Sequence, residues 1–182
     1  VAQAGCLPEL QCTPTQEEEA MPMPFYMTLT GNNQGQIDGS CDQTGREGTI
    51  LCQAFQHEIA IPRDPQSGQP TGLRVHNPLT ITKVYDKASP KLFQALCTGE
   101  RMKNVTLKWY RIDPAGAEEH YFTIELEDAI LVTVRPYTPN CLDPHYESYG
   151  HMEDVSFTYR KIMWTWEPDG ISSEDDWRVR PA

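Results

Sequence analysis

The sequence predicts a mainly β domain, an antiparallel two-sheet β-barrel with one short flanking α-helix. Three observations predict it. Apolar and β-branched residues recur with period two through most of the chain from Phe25 to Trp166. Gly, Asn, Asp and Pro interrupt these runs at hairpin spacing. Only one stretch, Ser89 to Gly99, switches to helical spacing. Many short strands with a single helix are best buried by closing sheet upon sheet.

The first 22 residues contain four acidic residues and no basic one, with Pro8, Pro14 and the run Glu17-Glu18-Glu19. They carry too little apolar surface to offset the entropy of ordering, so residues 1–22 are expected to be a disordered or non-native extension, with Met21 or Met23 the natural start. No basic n-region or apolar h-region marks a secretory signal. Val1 to Cys6 has the look of a lipoprotein cleavage site, but nothing hydrophobic precedes it.

Residues 23–166 are read as the barrel domain. Phe25 to Thr30 is a strand turned by Gly31-Asn32-Asn33-Gln34-Gly35, and residues 36–48 form a polar, glycine-rich loop. Ile50 to Ile61 alternates as one strand, with Leu51, Phe55, Ile59 and Ile61 on its buried face and Gln56 and Glu58 on the other. Leu79, Ile81, Lys83 and Tyr85 alternate with Thr80, Thr82 and Val84 in the next. Ser89 as N-cap, Pro90 at the first helical position and Gly99 as stop bound the helix, whose Leu92, Phe93 and Leu96 would cap a sheet or an open barrel end.

Val105 to Ile112, Tyr121 to Glu127 and Ala129 to Tyr137 follow as an antiparallel meander, the first two joined across Asp113-Pro114-Ala115-Gly116. Val155 to Trp166 reads as a last strand, with Val155, Phe157, Tyr159 and Met163 on one face around Lys161. Residues 167–182, with five acidic and two basic side chains, form an acidic tail of the same domain.

The segment Asp64 to Pro78 stands apart. Pro65, Pro70 and Pro78 with Gly68 and Gly72 forbid a helix or an uninterrupted ladder, so it reads as loop, too long for a plain hairpin. Its prolines reduce the entropy lost on docking. It offers Leu73 and Val75 as apolar contacts and Asp64, Gln66, Arg74, His76 and Asn77 as polar ones, so these seven are the candidate interface residues. A mobile solvent loop is the alternative.

Composition narrows the chemistry. The 182 residues carry 15 basic and 26 acidic side chains. No basic stripe interleaved with aromatics supports nucleic-acid binding, and no apolar run is long enough to span a membrane. The six cysteines include no C-x-x-C pair, so reduced thiols are expected, with Cys52 in a strand and Cys97 at a helix end as small buried residues. His57, His76, His120, His145 and His151 are scattered singly, which argues for structural or surface histidines and against a metal site.

No nucleophile elbow, phosphate loop or zinc-protease motif is present, so no enzyme and no cofactor are expected. Cys52 and His57 point to opposite faces of one strand. Glu118-Glu119 and Glu127-Asp128 read as solvated charge. A monomeric ligand- or carbohydrate-binding barrel remains the alternative, with Trp164, Trp166 and Trp177 as its groove.

Met23-Pro24-Phe25-Tyr26 with Leu29, Gly31, Gln34 and Gly35, then HEIAIPRDPQSGQPTGLRVHNPL (His57 to Leu79), LKWYR (Leu107 to Arg111), YRKIMW (Tyr159 to Trp164) and DDW (Asp175 to Trp177), resemble the haemolysin-coregulated protein (Hcp) family. That family builds the inner tube of bacterial type VI secretion systems. The resemblance runs from Met23 to the C-terminus and leaves residues 1–22 without a counterpart. It implies a barrel flanked by a helix, homohexameric rings stacked inside a contractile sheath, expulsion with a VgrG-type spike, and small effectors in the lumen. It further implies cytoplasmic storage before firing, then release to the medium or a target cell. No catalytic residue comes with it. Asn77 departs from the basic residue that relatives tend to place before the proline.

Overall fold

Barrel closure follows from one continuous antiparallel ladder. In the computed structural model, which describes residues 23–113, 115–146 and 149–179, the strands are β1 (Phe25–Gly31), β2 (Gly35–Ile37), β3 (Ile50–Gln56), β4 (Ile59–Ala60), β5 (Val75–His76), β6 (Leu79–Val84), β7 (Arg101–Ile112), β8 (Glu118–Tyr137), β9 (Met152–Thr158), β10 (Lys161–Trp166) and β11 (Ile171–Asp176). The helix α1 spans Ser89–Thr98. The expectations for residues 1–22, including Cys6 and Cys12, lie outside the described residues, as do Pro114 of the turn and residues 180–182 of the tail.

The ladder runs β1-β3-β6-β9-β8-β7 and returns to β1, so these strands leave no edge unpaired around the barrel. The predicted barrel is therefore present, built as one sheet closed on itself. The strand that closes it is β8. The sequence reads residues 121–127 and 129–137 as two strands, but they form one, turned at Asp128, whose φ of 51° is unusual for a residue with a side chain. Before that turn β8 pairs with β7 and β10; after it the β7 pairing runs on to Ile130 and β9 pairs with the rest.

The core lines the inside of this ring. Met27, Leu29, Ile50, Leu79, Leu107 and Phe157 are all buried, each contributing about 1.5–3 kcal/mol by leaving water. Phe25 stacks on Trp109 with centroids 4.8 Å apart, and Phe55 meets Trp109 edge-on at 5.2 Å.

Several expectations are corrected by register. Leu51, Phe55, Ile59 and Ile61 do not share a buried face: all four are exposed, while Ile50 and Cys52 point inward. Leu51 faces outward between the buried Ile50 and Cys52, and a register shift between Cys52 and Ala54 then reverses the alternation, so Phe55 pairs with buried Ile81 on the face opposite Leu51. The strand then ends, and β4 belongs to a separate two-stranded sheet.

Val155 to Trp166 divides in the same way. Tyr159 and Arg160 separate β9 from β10, so Ile162, not Met163, continues the buried row after Val155, Phe157 and Tyr159. The acidic tail contains β11, fully paired with β10. Arg160 holds this corner, contacting Asp128 at 2.8 Å, Glu127 at 2.7 Å and Asp176. The loop at 36–48 begins with β2 on β1, and its Arg46 guanidinium lies between the Tyr26 and Tyr110 rings, 3.5 Å from the latter.

The helix is placed correctly but capped differently. Ala88, not Ser89, is the N-cap, and Ser89 is buried inside the first turn. Asp86 does the capping from outside: its Oδ1 accepts from the Ala88 N–H at 2.9 Å, and Ser89 Oγ accepts from the Asp86 N–H at 3.1 Å. Gly99 closes the other end in the left-handed conformation, φ 64°. Leu92 and Ala95 face the core and Leu96 packs beside them, setting α1 against β8.

The cysteine expectation holds in part. Cys41, Cys52, Cys97 and Cys141 are free, but Cys97 is exposed rather than buried because it lies on the outer face of α1.

Candidate functional site

The long segment after β3 is a projecting hairpin, contrary to its reading as an unpaired loop. At its base Ile59 pairs with His76 and Ala60 with Val75. Further out Arg63 bridges to Pro70, and the Thr71 N–H donates to the Pro62 carbonyl at 2.8 Å. Prolines are tolerated because the pairing is intermittent and both strands are edges.

Asp64 builds the tip. Its Oδ1 accepts from the Gln66 N–H at 2.8 Å, its Oδ2 accepts from the Ser67 hydroxyl at 3.0 Å, and its carbonyl accepts from the Gly68 N–H at 2.8 Å. The first two bonds hold the Asp64 carboxyl below the usual carboxylate range. The arm exposes Ile59, Ile61, Leu73 and Val75, with Leu73 59% accessible, so its own barrel leaves this apolar surface uncovered. Gln66 is exposed at the tip.

Arg74, His76 and Asn77 are turned back onto their own chain. Arg74 Nε donates to Asp175, and its Nη2 donates to the carbonyls of Asp176 at 2.9 Å and Val179 at 3.1 Å. Asn77 donates to Glu58 Oε2 at 2.8 Å. These residues tie the arm to the C-terminal hairpin and to its own root.

Beneath them lies a cluster that sequence spacing did not reveal. The Tyr159 hydroxyl sits 2.7 Å from His76 Nδ1 and 2.8 Å from His57 Nε2. His76 Nε2 lies 2.7 Å from Asp175 Oδ2, off the axis of a well-aligned hydrogen bond. The Trp177 ring covers His76 with centroids 5.2 Å apart. His76, Tyr159 and Trp177, with Asn77 and Thr158, line a cleft of about 190 Å³.

The electrostatics follow from burial. Burial, then the neighbouring His76, pushes His57 down, and burial, then the Asp175 charge, pushes the Tyr159 hydroxyl up. The hydrogen bond from Arg74, followed by its charge and by His76, holds the Asp175 carboxyl low. The only sequence signal for this cluster was a histidine on each side of the Pro-rich segment, and nothing local pairs them with Tyr159.

Other candidates separate. Cys52 is fully buried, whereas His57 faces Phe55, Tyr159 and His76. Glu118 pairs with Arg46 and Glu119 with Arg111, while Glu127 and Asp128 both pair with Arg160. The three tryptophans take separate settings: Trp164 packs on the core, Trp166 stands against Tyr121 and donates to Asp169, and Trp177 covers His76. A stacking groove for a sugar would need them together.

Comparison with known proteins agrees with this architecture. A family model described as "Type VI secretion system effector, Hcp" matches residues 26–166. The chain is 53% identical over 167 residues to the major exported protein of Pseudomonas aeruginosa, covering 87% of this chain and 97% of that one. Among solved structures it is similar to an Hcp protein crystal structure (35% identity, TM-score 0.80, 86% of this chain and 99% of the other). It is also similar to secreted protein Hcp3 from Pseudomonas aeruginosa (44% identity, TM-score 0.69, 85% of this chain and 100% of the other). With the closed barrel, the flanking helix and the family match all on one continuous segment, the chain belongs to the Hcp family of type VI secretion system effectors.

Proposed function

We propose that this chain is a structural subunit of the type VI secretion inner tube, assembling into hexameric rings that stack within the contractile sheath. The tube leaves with a VgrG-type spike and carries small effectors in its lumen. The subunit is held in the bacterial cytoplasm until firing and then released to the medium or a target cell. Secretion is supported by the relative known as the major exported protein.

The observation that carries the reading is the projecting arm. A stiffened hairpin with exposed Ile59, Ile61, Leu73 and Val75 needs a partner surface, and a head-to-tail ring supplies one from the neighbouring copy. On this reading Leu73, Val75 and Gln66 meet the neighbouring subunit or ring, and Asp64, Arg74, His76 and Asn77 belong to the interface by shaping the arm that presents them. A few desolvated apolar side chains should dominate the energy.

The test replaces the arm between Ile59 and His76 with a two-residue Asn-Gly turn. The variant keeps a barrel circular dichroism spectrum and sediments as a smaller species, with no rings in negative stain. Leu73→Asp weakens assembly more gently. A shortened protein that still sediments as the full ring and is secreted normally would exclude the arm from assembly.

A further inference from the structure

We propose that His57, Tyr159, His76 and Asp175 form an acid-sensitive latch at the base of the arm, holding it docked until both imidazoles are protonated. Its consequence for assembly rests on the reading above, while the latch itself is a property of the single chain.

The arm has two legs, and each carries one of the histidines. His57 precedes β4, and His76 lies in β5 opposite Ile59. Tyr159, at the corner between β9 and β10, joins both legs to the barrel through one hydroxyl. Asp175 of β11 determines which way the protons run. A neutral His76 with its hydrogen on Nε2 presents N–H to that carboxylate, and the reverse tautomer would set a nitrogen lone pair against it at 2.7 Å. With the hydrogen on Nε2, His76 Nδ1 accepts from the Tyr159 hydroxyl, whose oxygen in turn accepts from His57 Nε2–H. The Tyr159 hydroxyl then donates to one ring and accepts from the other with both rings neutral, and His76 Nε2 lies beside Asp175 without an aligned hydrogen bond.

Acid breaks this pattern by arithmetic of charge and of hydrogen. Protonating His76 places N–H on Nδ1, and the Tyr159 hydroxyl can then donate to His57 Nε2 in its other tautomer; only when His57 is protonated as well does the Tyr159 oxygen face two donors and its own hydrogen lose its acceptor in a buried setting. Protonating His57 as well puts two cations in rings whose centroids are 6.2 Å apart. The charged and titratable groups facing them are Asp175, Arg74 and Tyr159. The one carboxylate among these already pairs with the Arg74 guanidinium. Glu58, beside His57 in sequence, accepts from Asn77. Arg74 and a protonated His76 would then share Asp175, leaving the His57 imidazolium with no carboxylate partner, in a pocket where the His76 side chain is only 2% accessible. Opening the arm is what returns the second imidazolium to water.

The experiment is hydrogen exchange by mass spectrometry on the full chain at about pH 7.5 and about pH 5, corrected for intrinsic exchange, with peptides from 59–76 read against β7. Wild-type arm peptides lose protection about tenfold in acid relative to β7, the equilibrium change that one buried hydrogen bond is worth. His57→Gln, which leaves one imidazole, flattens the response. Asp175→Asn, which removes the shared carboxylate, moves the midpoint to higher pH and serves where the first variant does not fold. An arm whose protection follows β7 across this range, a full acid response in His57→Gln, or an unmoved midpoint in Asp175→Asn would each overturn the latch.

Sedimentation of the same samples separates the two readings. Arms that open in acid while rings persist support the latch and exclude the arm from assembly. Rings lost on arm shortening, with arm protection insensitive to acid, support assembly and exclude the latch.

Discussion

Lys83 and Glu153 face each other across the β6–β9 ladder inside the barrel, both with no accessible surface, their Nζ and Oε1 2.7 Å apart. Asp86, the Val84 carbonyl and Ser89 complete the lysine's contacts, and Ser89 also donates to Glu153 at 2.8 Å. The start of α1 is thereby keyed to the β6–β9 register. Lys83→Met is expected to destabilise the fold by about 3–5 kcal/mol because it strands a buried carboxylate. The double variant Lys83→Met with Glu153→Leu is expected to recover much of that loss. Urea denaturation of the single and double variants measures the difference. Equal losses in both would show that the charges do not act as a pair.

Two glycines separate backbone strain from crowding. An alanine at Gly99 would meet no atom within 4 Å but must hold a left-handed φ, so Gly99→Ala should cost about 1 kcal/mol. A Cβ at Gly39 would lie 2.2 Å from the Thr49 carbonyl and 2.5 Å from Ile50 Cα, both backbone. Gly39→Ala should therefore be the more damaging, because the loop must leave β3 to accept it. Thermal melts of the two variants give the order.

Glu100 supplies an acid-dependent stability. Burial by itself would raise its carboxyl, but hydrogen bonds from the Gln34 backbone and side chain and from the Asn33 N–H outweigh it and hold the group low. A carboxyl lowered in the folded state contributes stability that is fully present above the unfolded value near 4.5 and is lost as pH falls through the lower folded value. Melting temperature against pH should fall less steeply below about pH 4.5 in Glu100→Gln than in the wild type. Parallel curves would show that the carboxyl does not carry the dependence.

Thiol reactivity should follow position. Cys97 and Cys141 are exposed, whereas Cys52 is fully buried and its thiol is pushed far up by burial. A maleimide followed by peptide mapping should label Cys97 and Cys141 in the native protein and Cys52 only after unfolding. Native labelling of Cys52 at the rate of Cys97 would show that the barrel opens readily.

Most of the architecture was legible because its signals are local. Alternation in Val105 to Ile112, the turn after Asp113 and the stop at Gly99 each depend on neighbours within a few residues; the helix lies where its signals place it, and β7 includes the predicted run but starts earlier, at Arg101. Leu79, Ile81 and Lys83 share one buried face as read, whereas Tyr85, read with them, lies past the end of β6 and is exposed; alternation gave no warning that the lysine would be buried with a carboxylate waiting for it. The face of residues 50–61 was misassigned because Leu51 and Phe55 lie on either side of an extra residue at Gln53, which reverses parity without changing composition, and because Ile59 and Ile61 lie beyond the end of β3.

What the sequence by itself determined was the class of fold, the position of its helix, the family, and the place where a long proline-rich segment interrupts the strands. Tertiary structure decided which side of each strand is wet, that the tail is a strand, that the proline-rich segment is a paired arm, and that His57 and His76 share one tyrosine. The physical reason is distance along the chain. Strand and turn preferences are written into adjacent residues, whereas Tyr159 meets His57 across a separation of 102 residues and Arg74 meets Asp175 across 101, contacts that exist only once the barrel has closed.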